Sequence, residues 1–284
     1  MKVDDKDVTE KKKRLIRLLR DTGSLLVAYS GGVDSTLLLA LAHEALDGRV
    51  AAATAISEIL PARERELAEA FTRKRGIEHH FVPWDVTSLP AFLSNGPDRC
   101  YHCKRSLFKE FMAMARERGI RDVAHGANVD DLKDYRPGQR AAAEMGILSP
   151  LIDVGLTKVE IRHLLKAMGL SLWNKPATVC LASRVPYGSP ITSEKLKMVD
   201  EAEAFLMERG ISPCRVRHHG AVARIEVARS DLAIVMENGF REDALRRFKD
   251  IGFIHVALDM EGYVSGSMNR VLARETKGEA MDDA

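Results

Sequence analysis

The residues of this 284-residue sequence whose types and spacing can do chemistry fall into three groups. The first is the string Ser30-Gly31-Gly32-Val33-Asp34-Ser35. Its glycines expose backbone N–H groups between two hydroxyl side chains. The apolar helix expected behind them adds a positive helix end, and the combination makes an anion site. The string matches neither G-x-x-x-x-G-K-[ST] nor G-x-G-x-x-G, so it is not the lysine-bearing phosphate loop or the dinucleotide fingerprint. Asp34 puts a carboxylate into a phosphate site, which makes sense if it holds magnesium on the phosphates or caps the helix.

The second group is sulfur. Cys100 and Cys103 form a C-x-x-C pair at a helix start, and the neighbours Arg99, Lys104 and Arg105 favour thiolates. Cys180 lies in the string Cys180-Leu181-Ala182-Ser183-Arg184, and Cys214 stands apart. A structural zinc site normally wants four protein ligands. Three cysteines leave one coordination position open, which suits a working iron–sulfur cluster better. The third group is Arg215 and Arg217, which alternate by two and so share one side of a strand. Two guanidinium forks on one face suit a phosphate. Without further support the default reading is two exposed arginines on an edge strand. Glu226, His218 and His219 stay ambiguous at this level.

The elements that must position these groups follow from the pattern. A helix is expected from Val8 to Asp21, with Lys11 to Arg14 as a solvated face. The apolar run Leu25 to Tyr29 reads as a buried strand feeding the glycine turn. Strands at Val50 to Ser57, Ile77 to Asp85 and Asp122 to Gly126 alternate with helices at Pro61 to Gly76 and Tyr101 to Gly119. Such alternation implies a parallel sheet covered on both faces. Gly126-Ala127-Asn128-Val129-Asp130-Asp131 then leaves the fourth strand at its carboxyl end, where open α/β sheets bind ligands. After Pro186, Gly188 and Pro190 the rhythm changes to a helix at Ser193 to Gly210, two strands around Gly220, two short helices and a strand at Phe253 to Asp259. The expected domains are 1–185, which carries the glycine loop and Cys100, Cys103 and Cys180, and 186–284, a smaller α+β domain that carries Arg215 and Arg217. The charged tail from Arg274 is expected to fray.

Composition bounds the rest. Forty-three Lys and Arg against 41 Asp and Glu leave a net charge of +2, which argues against a strong nucleic-acid footprint. There is no apolar run long enough for a membrane helix, and the charged N-terminus is unlike a secretory signal. Four cysteines do not make a disulfide scaffold, so a reducing cytoplasm is the expected location.

The string Ser30 to Ser35 resembles the PP-loop of the N-type ATP pyrophosphatases. That resemblance implies a parallel-sheet α/β domain that cleaves ATP between its α and β phosphates and adenylates a substrate oxygen. It also implies ATP and pyrophosphate contacts at Ser30, Gly31, Gly32, Asp34, Ser35, Ser57, Gly126 and Asp130. Three longer strings narrow the match: Arg99 to Lys104, Cys180 to Gly188, and Arg215 to His218. Together with Gly266-Ser267-Met268-Asn269, they resemble the LarE-type ATP-dependent sulfur transferases. These convert the carboxylates of a pyridinium dicarboxylate mononucleotide to thiocarboxylates during synthesis of the nickel-pincer nucleotide cofactor.

The resemblance implies Cys180 as the catalytic residue, and Ser183, Arg184, Arg215 and Arg217 around the substrate phosphate. Cys100, Cys103 and Cys180 match the subgroup that holds a 4Fe–4S cluster, whereas members lacking the C-x-x-C pair give up the sulfur of the cysteine matching Cys180. A homo-oligomer is implied as well, and the sulfur donor is left open. Rival readings are a tRNA-thiolating enzyme with the same loop and cluster, an amide-forming PP-loop synthetase in which Cys180 is dispensable, and a nucleotide-binding regulatory module without turnover.

Overall fold

The computed structural model describes residues 3–133, 135–176, 180–264 and 266–272. The expected frayed tail from Arg274 and residues 177–179, just before Cys180, lie outside them. The chain divides into two compact units, one of residues 1–89 and 98–178, the other of 90–97 and 179–284. The division falls before the Pro186 to Pro190 break and places Cys180 in the second unit.

In the first unit, β1 (Leu25–Ala28), β2 (Val50–Ile56), β3 (Glu78–Pro83) and β4 (Asp122–His125) form one parallel sheet in the order β3-β2-β1-β4. The two central strands β1 and β2 carry mostly apolar residues, whereas β3 and β4 mix in His, Glu and Asp. Alternate residues go to opposite faces, as the two-residue period of a strand requires. Leu25, Val27, Val50 and Ala52 enter one core, whereas Leu26, Ala51, Ala53 and Val123 enter the other. The first core is closed by α1 (Asp5–Thr22), α2 (Val33–Ala45), α3 (Ala62–Arg75) and two further helices described below. Its largest contribution is the run Leu37 to Ala42 of α2, every residue of which is buried. A helix apolar all round must be covered on all sides.

The short helix α4 (Pro90–Leu93) belongs to the second unit. The other face of the sheet is covered by α5 (Arg99–Glu117) and α6 (Pro137–Glu144), through Phe108, Phe111, Ala115 and Ala142. The helices α7 (Pro150–Asp153) and α8 (Lys158–Ala167) return to the first face. Thr157 starts α8 with a capping box: its hydroxyl accepts from the Glu160 amide, and Glu160 accepts from the Thr157 amide. Chain order reverses at β1, whose neighbours lead away in opposite directions. The crevice outside the carboxyl ends of β1 and β4 is therefore the topological switch point of the sheet.

In the second unit, α9 (Ser193–Glu208) and α11 (Asn238–Ile251) pack on a three-stranded sheet, with α10 (Leu232–Met236) between the strands and α11. β5 (Cys214–His219) and β6 (Val222–Val227) are antiparallel, and β7 (His255–Leu258) runs parallel to β6. Cys214, Val216, Ala223, Ile225 and Val227 face the apolar core with Phe205, Leu206, Phe248 and Phe253. Among the described residues no helix is long and apolar enough to cross a membrane.

Candidate active site

The expected phosphate loop leaves β1 and enters α2 as a tight turn. Gly31 adopts φ +68°, a conformation that favours glycine, and its missing side chain lets the turn lie against Ala68 and the Glu64 carbonyl of α3. Gly32 is the N-cap of α2, and no side chain caps the helix. The first-turn amides therefore keep no competing side-chain acceptor there. The Ser30 and Ser35 hydroxyls stand 3.1 Å apart, the Gly32 amide donates to Ser30 Oγ, and Ser35 Oγ and Thr36 Oγ1 donate to the Gly32 carbonyl.

The stretch after β4 completes this site. A Cβ on Gly126 would lie 2.6 Å from the Ser35 nitrogen and 2.8 Å from its Cα. Only a glycine lets the end of β4 touch the start of α2. The stretch then folds on itself: Asn128 N–H donates to Asp131 and Asp130 N–H to Asn128 Oδ1. Asp130 also accepts from the Lys158 amide at 2.8 Å. Just ahead of Gly126, buried His125 contacts Ser149 Oγ through Nε2 at 2.9 Å; burial pulls its pKa down to about 3, so the ring is neutral.

Asp34 does not cap α2. It lies inside the first turn, where Lys158 Nζ donates to Oδ2 at 2.6 Å while Oδ1 is buried without a hydrogen-bond partner. Burial lifts its pKa above the ordinary carboxyl range, and the Lys158 ammonium opposes that shift. A second ammonium, Lys175 Nζ, donates to the Gly31 carbonyl at 2.8 Å and to buried Glu64 at 2.6 Å. A loop without its own lysine thus gains two cations from distant segments. Neither was read from the sequence, although Thr157-Lys158-Val159-Glu160 carries a legible helix-start signal. Ser57 follows β2 and, with Glu58 and the stretch Pro83 to Thr87, lines a cavity of about 350 Å³ at the carboxyl ends of β2 and β3.

Cys100 and Cys103 lie one turn apart at the start of α5, the first exposed and the second half-buried. The close neighbour of both is Lys104, whose stem lies where a Gly138 side chain would be, the would-be Cβ being 2.9 Å from Lys104 Cδ. Burial lowers the Lys104 pKa, and the thiols of Cys103 and Cys100 act against that shift. Among the described residues no three of His, Cys, Asp or Glu stand together as a metal site would require.

In the second unit, half-buried Cys180 opens a 3-10 turn, Leu181–Arg184, and its carbonyl accepts from the Ser183 amide. Arg184 is almost fully buried and pairs with Glu203 of α9 through two hydrogen bonds of 2.7 and 2.8 Å. Burial alone would raise the Glu203 pKa, but Arg184 holds it below the usual carboxylate range. Glu203 was missed in the sequence, yet it falls on the apolar stripe of α9 with Leu196, Val199 and Leu206. A buried acid on such a stripe is the informative observation.

Arg215 and Arg217 share one face of β5, as their spacing requires, with Arg224 and Glu226 on the same face of β6. Arg215 NH1 donates to the Cys214 carbonyl, and its guanidinium lies 5.1 Å from the Tyr263 ring centre. Arg217 donates to Glu226 at 2.7 Å and to the Ser183 carbonyl at 3.1 Å. Arg217 and Arg224 are directly opposite across the ladder, a repulsive arrangement for like charges. Glu226 lies within 3.1 Å of both, and Asp259 takes the other end of Arg224. Here Arg184, Arg215, Arg217 and Arg224 meet the carboxylates of Glu203, Glu226 and Asp259. The buried Nε atoms of Arg217 and Arg224 have no hydrogen-bond partner.

No family model matches the chain. Similar proteins do. An uncharacterised protein of Synechocystis is 41% identical over 249 residues, 88% of this chain and 93% of that protein. The pyridinium-3,5-bisthiocarboxylic acid mononucleotide synthase of Lactiplantibacillus plantarum is 34% identical over 266 residues, 93% of this chain and 95% of that one. More distantly, one component of the glutamine-hydrolyzing GMP synthase of Pyrococcus furiosus is 25% identical over 95% of this chain and 87% of its own length.

Proposed function

The chain belongs to the LarE-type family of ATP-dependent sulfur transferases, and from that premise we propose that it adenylates the carboxylates of a pyridinium dicarboxylate mononucleotide and exchanges their oxygen for sulfur. ATP would dock on the Ser30 to Ser35 loop with Ser57, Gly126 and Asp130 around it. Asp34 would turn its unpartnered Oδ1 to magnesium, and Lys158 and Lys175 would balance the phosphate charge. A substrate carboxylate then attacks the α phosphate, releasing pyrophosphate and leaving an acyl-adenylate. The step is needed because oxide is a poor leaving group and AMP is a good one. Backbone donors at the loop stabilise the charge developing on pyrophosphate.

The observation that carries the acceptor assignment is the buried guanidinium face of the second unit. The buried, unpartnered Nε donors of Arg217 and Arg224 suit an anion, and the mononucleotide brings a phosphate. Arg215 and Arg217 would hold that phosphate with Ser183. Arg184, committed to Glu203, would fix the turn that carries Cys180.

Cys180 would deliver or ligate the transferred sulfur. Cys100 and Cys103, one turn apart, would be two ligands of a 4Fe–4S cluster with Cys180 as the third, although among the described residues no three such donors stand together. Such a cluster would supply an open iron able to carry sulfide. A homo-oligomer in the cytoplasm completes the proposal. Thiolation of tRNA is disfavoured because the chain carries a net charge of only +2.

The test is anaerobic purification with iron and acid-labile sulfide analysis, followed by pyrophosphate release with and without the mononucleotide. About four irons per chain, lost in Cys100→Ala together with repeated turnover, is the expected result. Iron-free protein that thiolates once, losing roughly 34 Da as Cys180 becomes dehydroalanine, would remove the cluster and leave Cys180 as the sole sulfur source. Acceptor-independent pyrophosphate release would remove the proposed substrate.

A further inference from the structure

The phosphate loop holds its two glycine carbonyls by different means. The Gly32 carbonyl is held from inside the loop, accepting from Ser35 Oγ at 3.2 Å and from Thr36 Oγ1 at 2.7 Å. The Gly31 carbonyl is held from outside, by Lys175 Nζ at 2.8 Å. At the other end of the same peptide, the Gly32 amide donates to Ser30 Oγ at 3.3 Å. A trans peptide points its carbonyl and its amide in opposite directions. The Lys175 contact therefore sets which end of this peptide faces the hydroxyls of Ser30 and Ser35.

That choice needs a holder. Gly31 sits at φ +68° and Gly32 at φ −79°, and neither carries a Cβ to bar a half-turn of the peptide between them. Turned over, the peptide would present a carbonyl oxygen where the loop otherwise presents an N–H. A phosphate is attracted by the N–H and repelled by the oxygen. One orientation makes the anion site and the other unmakes it.

Lys175 is itself fixed for the task. Its Nζ also donates to Glu64 Oε2 at 2.6 Å, the two side chains being 10% and 5% exposed. Glu64 lies in the first turn of α3, where the helix end favours a carboxylate. The Lys175 carbonyl accepts from Arg162 NH2 of α8 at 2.7 Å. A cation met by a buried carboxylate spends much of its charge on it, but an ammonium has three donors and keeps one for the Gly31 carbonyl.

We propose that Lys175, seated by Glu64, is a positioning residue for the ATP phosphates: it holds the Gly31 carbonyl away from the anion site, so that the Gly32 amide stays on the side of the two hydroxyls. This role adds to the charge that Lys175 lends the phosphates, and it rests on the reading that they dock on this loop. It is a property of the loop itself, so it is open to test without nucleotide.

Gly31-Gly32 is the single Gly-Gly pair of the sequence. Full-length protein grown with glycine isotopically labelled at its carbonyl carbon and its nitrogen therefore gives one carbonyl–amide correlation by NMR, that of this peptide. The test variant is Glu64→Met/Lys175→Met, which removes both charges together and strands neither. Glu64→Gln/Lys175→Leu gives the same reading should the methionine pair fail to fold. The wild type is expected to give one sharp peak that shifts when magnesium pyrophosphate is added. In the variant, before any addition, the amide as well as the carbonyl resonance should move and broaden as the peptide exchanges between its two orientations. Calorimetry should show magnesium pyrophosphate and ATP each bound about 10- to 100-fold more weakly, the range of a charged hydrogen bond, with the urea midpoint near that of the wild type. A carbonyl resonance that moves while the amide stays as in the wild type would overturn the positioning role and leave Lys175 as a charge only. Unchanged pyrophosphate affinity in the variant would overturn it too. If pyrophosphate leaves the wild-type peak in place, the docking reading fails first and the inference falls with it.

Discussion

Replacing Lys158 with methionine should move the acid limit of ATP use to higher pH. Lys158 Nζ lies 2.6 Å from Asp34 Oδ2, the two side chains being 30% and 21% exposed. Burial already lifts the Asp34 pKa above the carboxyl range, and Lys158 is the largest influence against that rise. A charged hydrogen bond of this kind is worth about 1.5–3 kcal/mol. Its loss therefore raises the Asp34 pKa further. Methionine keeps the length of the chain and removes the charge.

The sign follows from the form that works. On the proposed reading magnesium is held by the Asp34 carboxylate, and a raised pKa means that this anion is lost at less acidic pH. The acid limb of kcat/KM for ATP, which reports groups of the free enzyme, should therefore move to higher pH in Lys158→Met. At high pH the two proteins should converge to within the effect of the lost cation on phosphate. Pyrophosphate release measured from pH 5 to 9 gives the profile, and Asp34→Asn should have no such limb. A Lys158→Met profile that is lower at every pH but unshifted would refute the coupling of Lys158 to Asp34.

Further outcomes concern the scaffold of the site, with one control away from it. Gly126→Ala drives a methyl group into the Ser35 backbone; it should cost about 1–3 kcal/mol in urea unfolding and weaken ATP binding by calorimetry. Gly239→Ala, in the first turn of α11 with nothing within 4 Å of the added carbon, should change neither ATP binding nor unfolding for the worse. Glu203→Ala strands the Arg184 guanidinium, 2% exposed, and should destabilise by about 3–5 kcal/mol, read as a lower urea midpoint. Unchanged unfolding would mean that the buried pair is not holding the Cys180 turn.

What could be read in the sequence was what the chain does over short distances. The strands β1 to β4 and the helices between them lie within a few residues of their expected spans, because apolar period and glycine stops are local signals. The loop was legible for the same reason, since its donors are its own backbone. Its cations were not: Lys158 and Lys175 reach it from 124 and 144 residues away, and no local pattern marks a lysine for such a contact. The short helices α6 and α7 went unread despite a proline at the start of each, a signal that was available. The spacing of Arg215 and Arg217 foretold their shared face. It could not foretell that the face is buried, because that depends on Glu226, Asp259 and Tyr263 arriving from other elements.

The long reach of Lys175 bears on how the protein is made. A loop tied to an ammonium 144 residues downstream is a contact of high sequence separation, and such contacts close late in folding. During synthesis the glycine turn emerges early, but the cation that takes the Gly31 carbonyl is added only after all four strands of the sheet, at about 5–20 residues per second. Nucleotide arriving before then meets an unfinished cradle and can do nothing to guide the fold. Once Lys175 is seated, the same nucleotide binds only the completed unit, and by mass action holds together the whole sheet and not merely the loop it touches.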